Sequence, residues 1–456
     1  MTVVPDVEAE HGDRVSSLRA ALADVAPFAI FGLIPAGLAV VFLGSALFSH
    51  VLGLDFSQAF WPAGEAVLHG RTPYPPVDAS VLVRGASFVY PPVVAIAVAP
   101  LAFLPVGVAT ALAVSWTVGA LVGTLWVLGV RDWRCYGASL ASPAVLGCIQ
   151  TAALSGLLAL AIALAWRHRE RGAAAPVLIV VAIAAKLFLW PLLLWLAVTR
   201  GLRTAAVAAV ATLVLVLGPW LAGFPGLRQY PNLLTVLADV EGDHAFTPRA
   251  LALSLGTSTR LAELVAVLAG GAVLAVAVAG IRRPDADRRT LALTILAALL
   301  LSPVVWSHYF VVLLAVVAIA RPRMGWPWLV LPALWLGGGA WNAASGAQVA
   351  VGLVVMVLAT MSALRPLHRV GVRAVAATAC GRPPESAWHF LAVDRSISRC
   401  SGRSVHPTCR SRSRDARRRP RRAGRRCRPG RRASPRPADG ARRRGLRRST
   451  HPGRPR

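Results

Sequence analysis

Charge is what this sequence has least of. Only 15% of its 456 residues are charged, against about one quarter in a soluble domain. Hydrophobic residues make up 56%, and the mean hydropathy is +0.59. A water-soluble enzyme is excluded on composition. Lysine is almost missing, with one residue, Lys186, against 48 arginines. Six cysteines show no CxxC pairing and no His spacing of a zinc site, so neither disulfides nor a metal centre are expected. The chain has no phosphate-binding glycine loop, HExxH, nucleophile elbow or kinase signature. Residues 1–26 hold five acids and two arginines. They lack the positive region of a cleaved signal peptide, and the apolar run that follows reads as a retained first membrane helix.

The formal net charge of +29 does not indicate nucleic acid once it is located. Residues 1–364 hold 21 Lys+Arg and 16 acids, a net of +5, whereas residues 365–456 hold 28 Arg and 4 acids, a net of +24. The basic segment offers no aromatics between its arginines on which bases could stack. It reads as a disordered polybasic tail lying on anionic lipid, or as non-native read-through of a GC-rich gene. No nucleic-acid partner is expected.

Long uncharged runs are abundant: 27–54, 89–130, 135–166, 205–227, 264–280, 290–320 and 324–364, with 173–198 interrupted only by Lys186. About 20 apolar residues span a bilayer core, so several of these runs must be hairpins or broken helices. They are continuous rather than alternating, which excludes a barrel. Arginine clusters at 167–171, 200–203, 282–289, 321–323 and 365–373 mark cytoplasmic loops. The resulting expectation is an all-α polytopic membrane protein with about twelve transmembrane helices. Residues 1–26 form a cytoplasmic segment, 27–364 the membrane domain and 365–456 the tail. Loops 51–88 and 228–259 fall outside.

The outer loop 51–88 carries the first candidate. Asp55 follows the first apolar run without a polar spacer, at the depth of a lipid-linked head group. Its plainer role would be a helix N-cap. Positions 56, 60, 63 and 67 are apolar or small and 58, 65 and 69 polar, the pattern of a short interfacial helix on the outer face. Lys186 lies halfway along a run with two cytoplasmic ends, just before Pro191. It is either a snorkelling lysine or an anion site. Ser302, Pro303, Trp306 and His308 interrupt another such hairpin, where a lone histidine is as readily structural as functional. Asp239, Glu241, Asp243 and His244 offer alternating oxygen ligands suited to a divalent cation, or simply a solvated acidic loop.

Four motifs in order, DFSQAFWPAGEAVLHGRTPY, FVYPPVVAIAVAPLAFLP, AKLFLWP and SPVVWSH, resemble the polyprenol-phosphate-mannose-dependent α-mannosyltransferases of glycosyltransferase family 87, integral-membrane enzymes of the GT-C class. The resemblance covers about residues 25–365. It implies that Asp55 is the catalytic base and that Lys186 and His308 bind the substrate. Arg71, Trp306 and Tyr74 of the same motifs join them as substrate-binding candidates. Many relatives carry a second histidine where this chain has Tyr309, and an aliphatic residue is common at Phe56. Nothing in the family accounts for the arginine-rich tail.

The implied activity is transfer of mannose or a related hexose, with inversion, from a polyprenyl-phosphate carrier to a glycolipid or polysaccharide hydroxyl. It would take place on the outer face of the cell membrane without cofactor or metal. A secondary transporter or lipid-linked-sugar flippase is the alternative, disfavoured because no internal repeat is visible.

Overall fold

The computed structural model describes residues 25–83, 87–338 and 344–365. The N-terminal segment up to 24 and the tail beyond 365 lie outside the described residues. Among the described residues every element is helical and none is a strand, as an apolar chain that must pair its own backbone requires.

The first apolar run forms one helix, α1 (Val25–Phe48). The second is interrupted at Leu104–Pro105, where a short apolar helix over Pro92–Phe103 gives way to α2 (Val106–Val127). The third bends by 114° between α3 (Pro143–Thr151) and α4 (Ser155–Arg167), turning through Ala152 in the left-handed region at φ +51°. The fourth divides at Lys186 into α5 (Ala174–Ala185) and α6 (Leu192–Arg200). Two long helices follow, α7 (Leu202–Leu221) and α8 (Thr259–Ala279). Ser302–Pro303 then ends α9 (Ala286–Leu301), because the residue before a proline is pushed to extended backbone. A 3₁₀ turn over Ser307–Val311 leads into α10 (Val312–Ala320), and α11 (Gly346–Leu364) closes the domain.

Helix length alone does not reach twelve crossings. Among the described residues, five helices are long and apolar enough to span a bilayer, or six if the bent pair counts as one. The shorter apolar helices, such as Pro92–Phe103 and Leu187–Arg200, have 12–14 residues, about 18–21 Å at 1.5 Å per residue. That falls short of a core about 30 Å thick.

Helices α9 and α10 form the centre, with Leu299, Ala315 and Val317 fully buried. By contrast α1, α7 and α8 expose most of their apolar side chains, the signature of a lipid-facing surface.

An arginine-rich layer marks one end of this bundle, whereas Arg249 bonds to Asp243 near the Ser302–Pro303 break. Arg200, at the end of α6, donates to the carbonyls of Arg169 (3.3 Å) and Gly172 (2.9 Å), so segment 173–199 leaves that end and returns to it. The expected hairpin is therefore present. Asp287 accepts from Arg169 Nε (2.5 Å) and from Trp195 Nε1 (2.7 Å). Arg288 and Arg289 donate to the carbonyls of Arg365 and Leu364, and Arg365 lies over the Trp326 ring. Asp132 joins the same layer by accepting from the Met324 amide (3.0 Å); its bidentate bond to Arg134 holds the carboxyl at about 2, below the usual carboxylate range.

The outer helix of the sequence reading exists as a π-turn over Phe56–Phe60 running into Trp61–Leu68. Its apolar face does not meet lipid as expected. Phe56, Phe60 and Ala63 are buried against the chain itself. Gly64 packs on the backbone of Ala99, where an added Cβ would come within 3.1 Å.

Candidate active site

Helices α4, α5, α6, α9 and α10 each run between the arginine layer and the opposite end, where the polar candidates collect. At 13 residues for α4 and 16 for α9, the separation along the helices is about 20–24 Å. Local sequence explains why polar groups can sit there. α5 ends at Ala185, Lys186 takes extended backbone at φ −149°, ψ 98°, and Pro191, which has no amide proton to donate, stands at the start of α6. The Ser302–Pro303 break likewise ends α9.

Asp55 reaches this region from the turn after α1. Gly53 makes that turn possible: its φ is +75°, a Cβ there would collide with Thr110, and its amide donates to the Gln150 carbonyl at 2.5 Å. The turn is thereby tied to the end of α3, and the Asp55 carboxylate lies beside the Thr151 side chain. Asp55 precedes the π-turn but makes no side-chain capping bond, so the N-cap role has no hydrogen bond behind it. Burial raises its carboxyl above the ordinary carboxylate value, and the nearby Lys186 ammonium and Thr151 oppose the rise.

Lys186 is buried, with 6% of its surface exposed, and its ammonium has no hydrogen-bond partner. What surrounds it is aromatic. Nζ lies 3.3 Å from the centre of the Tyr309 ring and 5.3 Å from that of Tyr90. His308 is buried within electrostatic range of Lys186; its ring stacks on Trp306 (5.9 Å, 25°) and its Nε2 is also without a partner.

A cavity of about 300 Å³ opens at Lys186, lined by Tyr90, Tyr230, Ser302, Trp306 and Tyr309 among others. On the other side of the same helix end lies an apolar groove of about 330 Å³, lined by Phe56, Phe60, Val94, Ala153 and Ala185. Ala185 faces the groove and its neighbour Lys186 the cavity. An apolar groove beside a cavity that holds an unsatisfied cation suits an anionic head group on a long chain.

Asp55 and His308 thus each lie within electrostatic range of Lys186, and Trp306 stacks on His308. Of the candidates, Lys186 and Trp306 line the cavity; Asp55, His308, Arg71 and Tyr74 are not among its lining residues. Arg71 is exposed and pairs with Glu65 at 3.4 Å. Tyr74 is buried, but its hydroxyl donates to the Tyr90 carbonyl (3.2 Å) and its ring packs on Phe88 and Tyr230, so it braces the Tyr90 segment from behind. Among the acids of 239–243, Asp243 pairs with the buried Arg249 at 3.2 Å. No group of three metal-ligating side chains occurs among the described residues. Sequence reasoning did not pick out Tyr90 or Thr151, and it noted Tyr309 only as a departure from the family. Tyr90 precedes a Pro-Pro pair and Thr151 ends an apolar helix, features common in membrane proteins generally.

No curated protein and no solved structure matches the chain. A family model does match, over residues 88–303, the stretch that carries Tyr90, Lys186 and the Ser302–Pro303 break; Asp55 and His308 lie on either side of it. The model is that of glycosyltransferase family 87, and it matches a helical body built for the bilayer.

Proposed function

We propose that this membrane glycosyltransferase moves a hexose, mannose first among the candidates, from a polyprenyl-phosphate carrier to a hydroxyl of a glycolipid or polysaccharide. The observation that carries the reading is the pairing of opposites at one end of the bundle. A carboxylate and a buried, unpartnered ammonium stand within electrostatic range, beside a groove suited to a lipid chain. In this reading Asp55 takes the proton from the acceptor hydroxyl as its oxygen attacks the anomeric carbon. The bond from that carbon to the phosphate oxygen breaks with inversion, and the electron pair leaves with the polyprenyl phosphate. Lys186 and His308 meet the charge that develops on the leaving oxygen, where fixed donors in a site poor in water count most. Trp306 would line the sugar's side of the cavity. Neither a nucleotide nor a metal takes part.

The arginine layer supports a site on the outer face of the cell membrane, since arginine-rich ends stay in the cytoplasm. The opposite end would then face outwards, where nucleotide sugars are absent and a lipid-linked donor is needed. The shorter apolar segments, counted as membrane-inserted hairpins, complete the twelve-helix topology in this reading. The family match speaks for transfer rather than for a transporter or flippase.

The test is sugar transfer in membranes supplied with a labelled polyprenyl-phosphate hexose or, separately, with a nucleotide sugar. Label should reach an acceptor from the lipid-linked donor alone, and only where Asp55 is intact. Transfer from the nucleotide sugar in membranes freed of polyprenyl phosphate would overturn the proposal.

A further inference from the structure

The ammonium of Lys186 has an unusual environment for a buried cation. An isolated charge taken out of water ordinarily pairs with a carboxylate or loses its proton. Here Asp55 is within electrostatic range, yet among the described residues the ammonium makes no hydrogen bond to it or to any other group. Its closest aromatic neighbour is a ring face, Tyr309 at 3.3 Å, with Tyr90 at 5.3 Å.

These rings are themselves fixed. Tyr309 stacks on Phe188 (5.2 Å, 18°) and meets Trp306 edge-on (5.6 Å, 83°), and its amide donates to the Trp306 carbonyl. Tyr90 packs against Phe60 at 4.8 Å and Phe88 at 5.7 Å. Both tyrosines and Lys186 line the same cavity.

An aromatic face stabilises a cation through its quadrupole. Unlike a carboxylate, it cancels no charge, and with one N–H turned to the ring it leaves the other donors available. A direct ion pair with Asp55 would have to be broken before a phosphate could bind, and it would occupy the carboxylate needed as a base. Resting the ammonium on rings avoids both.

Resting on the functional reading above, we propose that Tyr309, assisted by Tyr90, is a positioning residue: its ring face holds Lys186 charged and apart from Asp55, leaving the ammonium free to take the phosphate of the lipid-linked donor. The specificity this confers is for an anionic head group, because a neutral one gains nothing from a cation kept in reserve.

The test uses the full-length protein in detergent micelles with decaprenyl phosphate as the probe. Binding is measured for wild type, for Tyr309→Phe, and for a series carrying one, two or three fluorines on the ring of a phenylalanine at 309. Fluorination drains the ring face while nearly preserving shape. Tyr309→Phe should bind within about threefold of wild type, and affinity should then fall stepwise with each fluorine, to roughly tenfold weaker at the end of the series. The melting temperature should stay level throughout, a pattern that a purely structural ring would not produce. Tyr309→Leu should fall at least as far as the last member.

A flat series, or loss of binding already at Tyr309→Phe, overturns the ring's role while leaving the phosphate site standing. A wild-type protein that does not bind decaprenyl phosphate overturns the site itself, and the ring's role with it.

Discussion

Replacing Asp55 by asparagine separates the two roles an acid can have at the start of a helix. The side chain keeps its shape and its ability to accept from Thr151, but it loses the negative charge and the capacity to take a proton. An N-cap role would cost about 1 kcal/mol of stability. The structure contains no capping bond to lose, so that cost should not appear. Burial instead disfavours the ionised carboxyl and raises its pKa, so a neutral amide should leave the melting temperature unchanged or slightly higher at neutral pH. Removing a general base lowers turnover by about 10²–10⁴, equivalent to about 3–5 kcal/mol on the barrier. Donor affinity should hold or improve, because an anionic neighbour of the phosphate has gone. The assay combines three readings on one preparation: insertion into membranes, tryptophan-monitored melting, and transfer from a polyprenyl-phosphate hexose under single-turnover conditions. Turnover within about threefold of wild type, in a normally inserted and equally stable protein, would refute the assignment.

Lys186→Met should weaken donor binding and slow transfer together, roughly 10–100-fold in kcat/KM for the loss of a charge-assisted contact; unchanged kinetics would remove Lys186 from the site. The acid limb of the rate profile should lie above the ordinary carboxylate range, because the base works only while ionised and activity falls as pH drops through the raised value of Asp55. Cysteine labelling should reach position 57 and position 170 from opposite sides of the membrane, and both reacting from the same side would break the proposed topology. Ending the chain after Arg373 should leave transfer intact, since the tail contains no core-forming pattern; loss of activity in a correctly inserted truncation would contradict this.

The sequence exposed the ionisable members of the site because an ionisable group in an apolar run is expensive and therefore conspicuous. Lys186, His308 and Asp55 stood out on that ground, and the structure sets them near one another. The aromatic half of the site was hidden. A tyrosine before Pro-Pro or after a histidine is ordinary in a membrane protein, and only three-dimensional packing reveals that Tyr309 and Tyr90 turn their faces to the one lysine. Thr151 was hidden for a similar reason, since its hydroxyl also bonds back to the Gly147 carbonyl four residues earlier. Arg71 is exposed and matched with Glu65, a pairing that charge in the sequence does not disclose. The folding of the long runs was legible only in part. Arginine spacing anticipated the return of segment 173–199 to its starting end. The uncharged length of a run does not disclose how the breaks at Lys186 and Ser302–Pro303 will cut it into pieces too short to cross. The outer helix was legible as amphipathic, but amphipathicity does not say whether protein or lipid covers the apolar face.

The most direct test of the central claim follows the bond that should break. Purified protein in liposomes is given a polyprenyl-phosphate hexose, labelled at the anomeric carbon, together with a glycolipid acceptor. Release of polyprenyl phosphate, formation of the new glycoside and its anomeric configuration are then measured side by side. The account predicts one polyprenyl phosphate for each glycoside formed, inverted configuration, and loss of both products in Asp55→Asn. Movement of the intact lipid-linked sugar between leaflets with no cleavage, or cleavage that persists at the wild-type rate without Asp55, would contradict it.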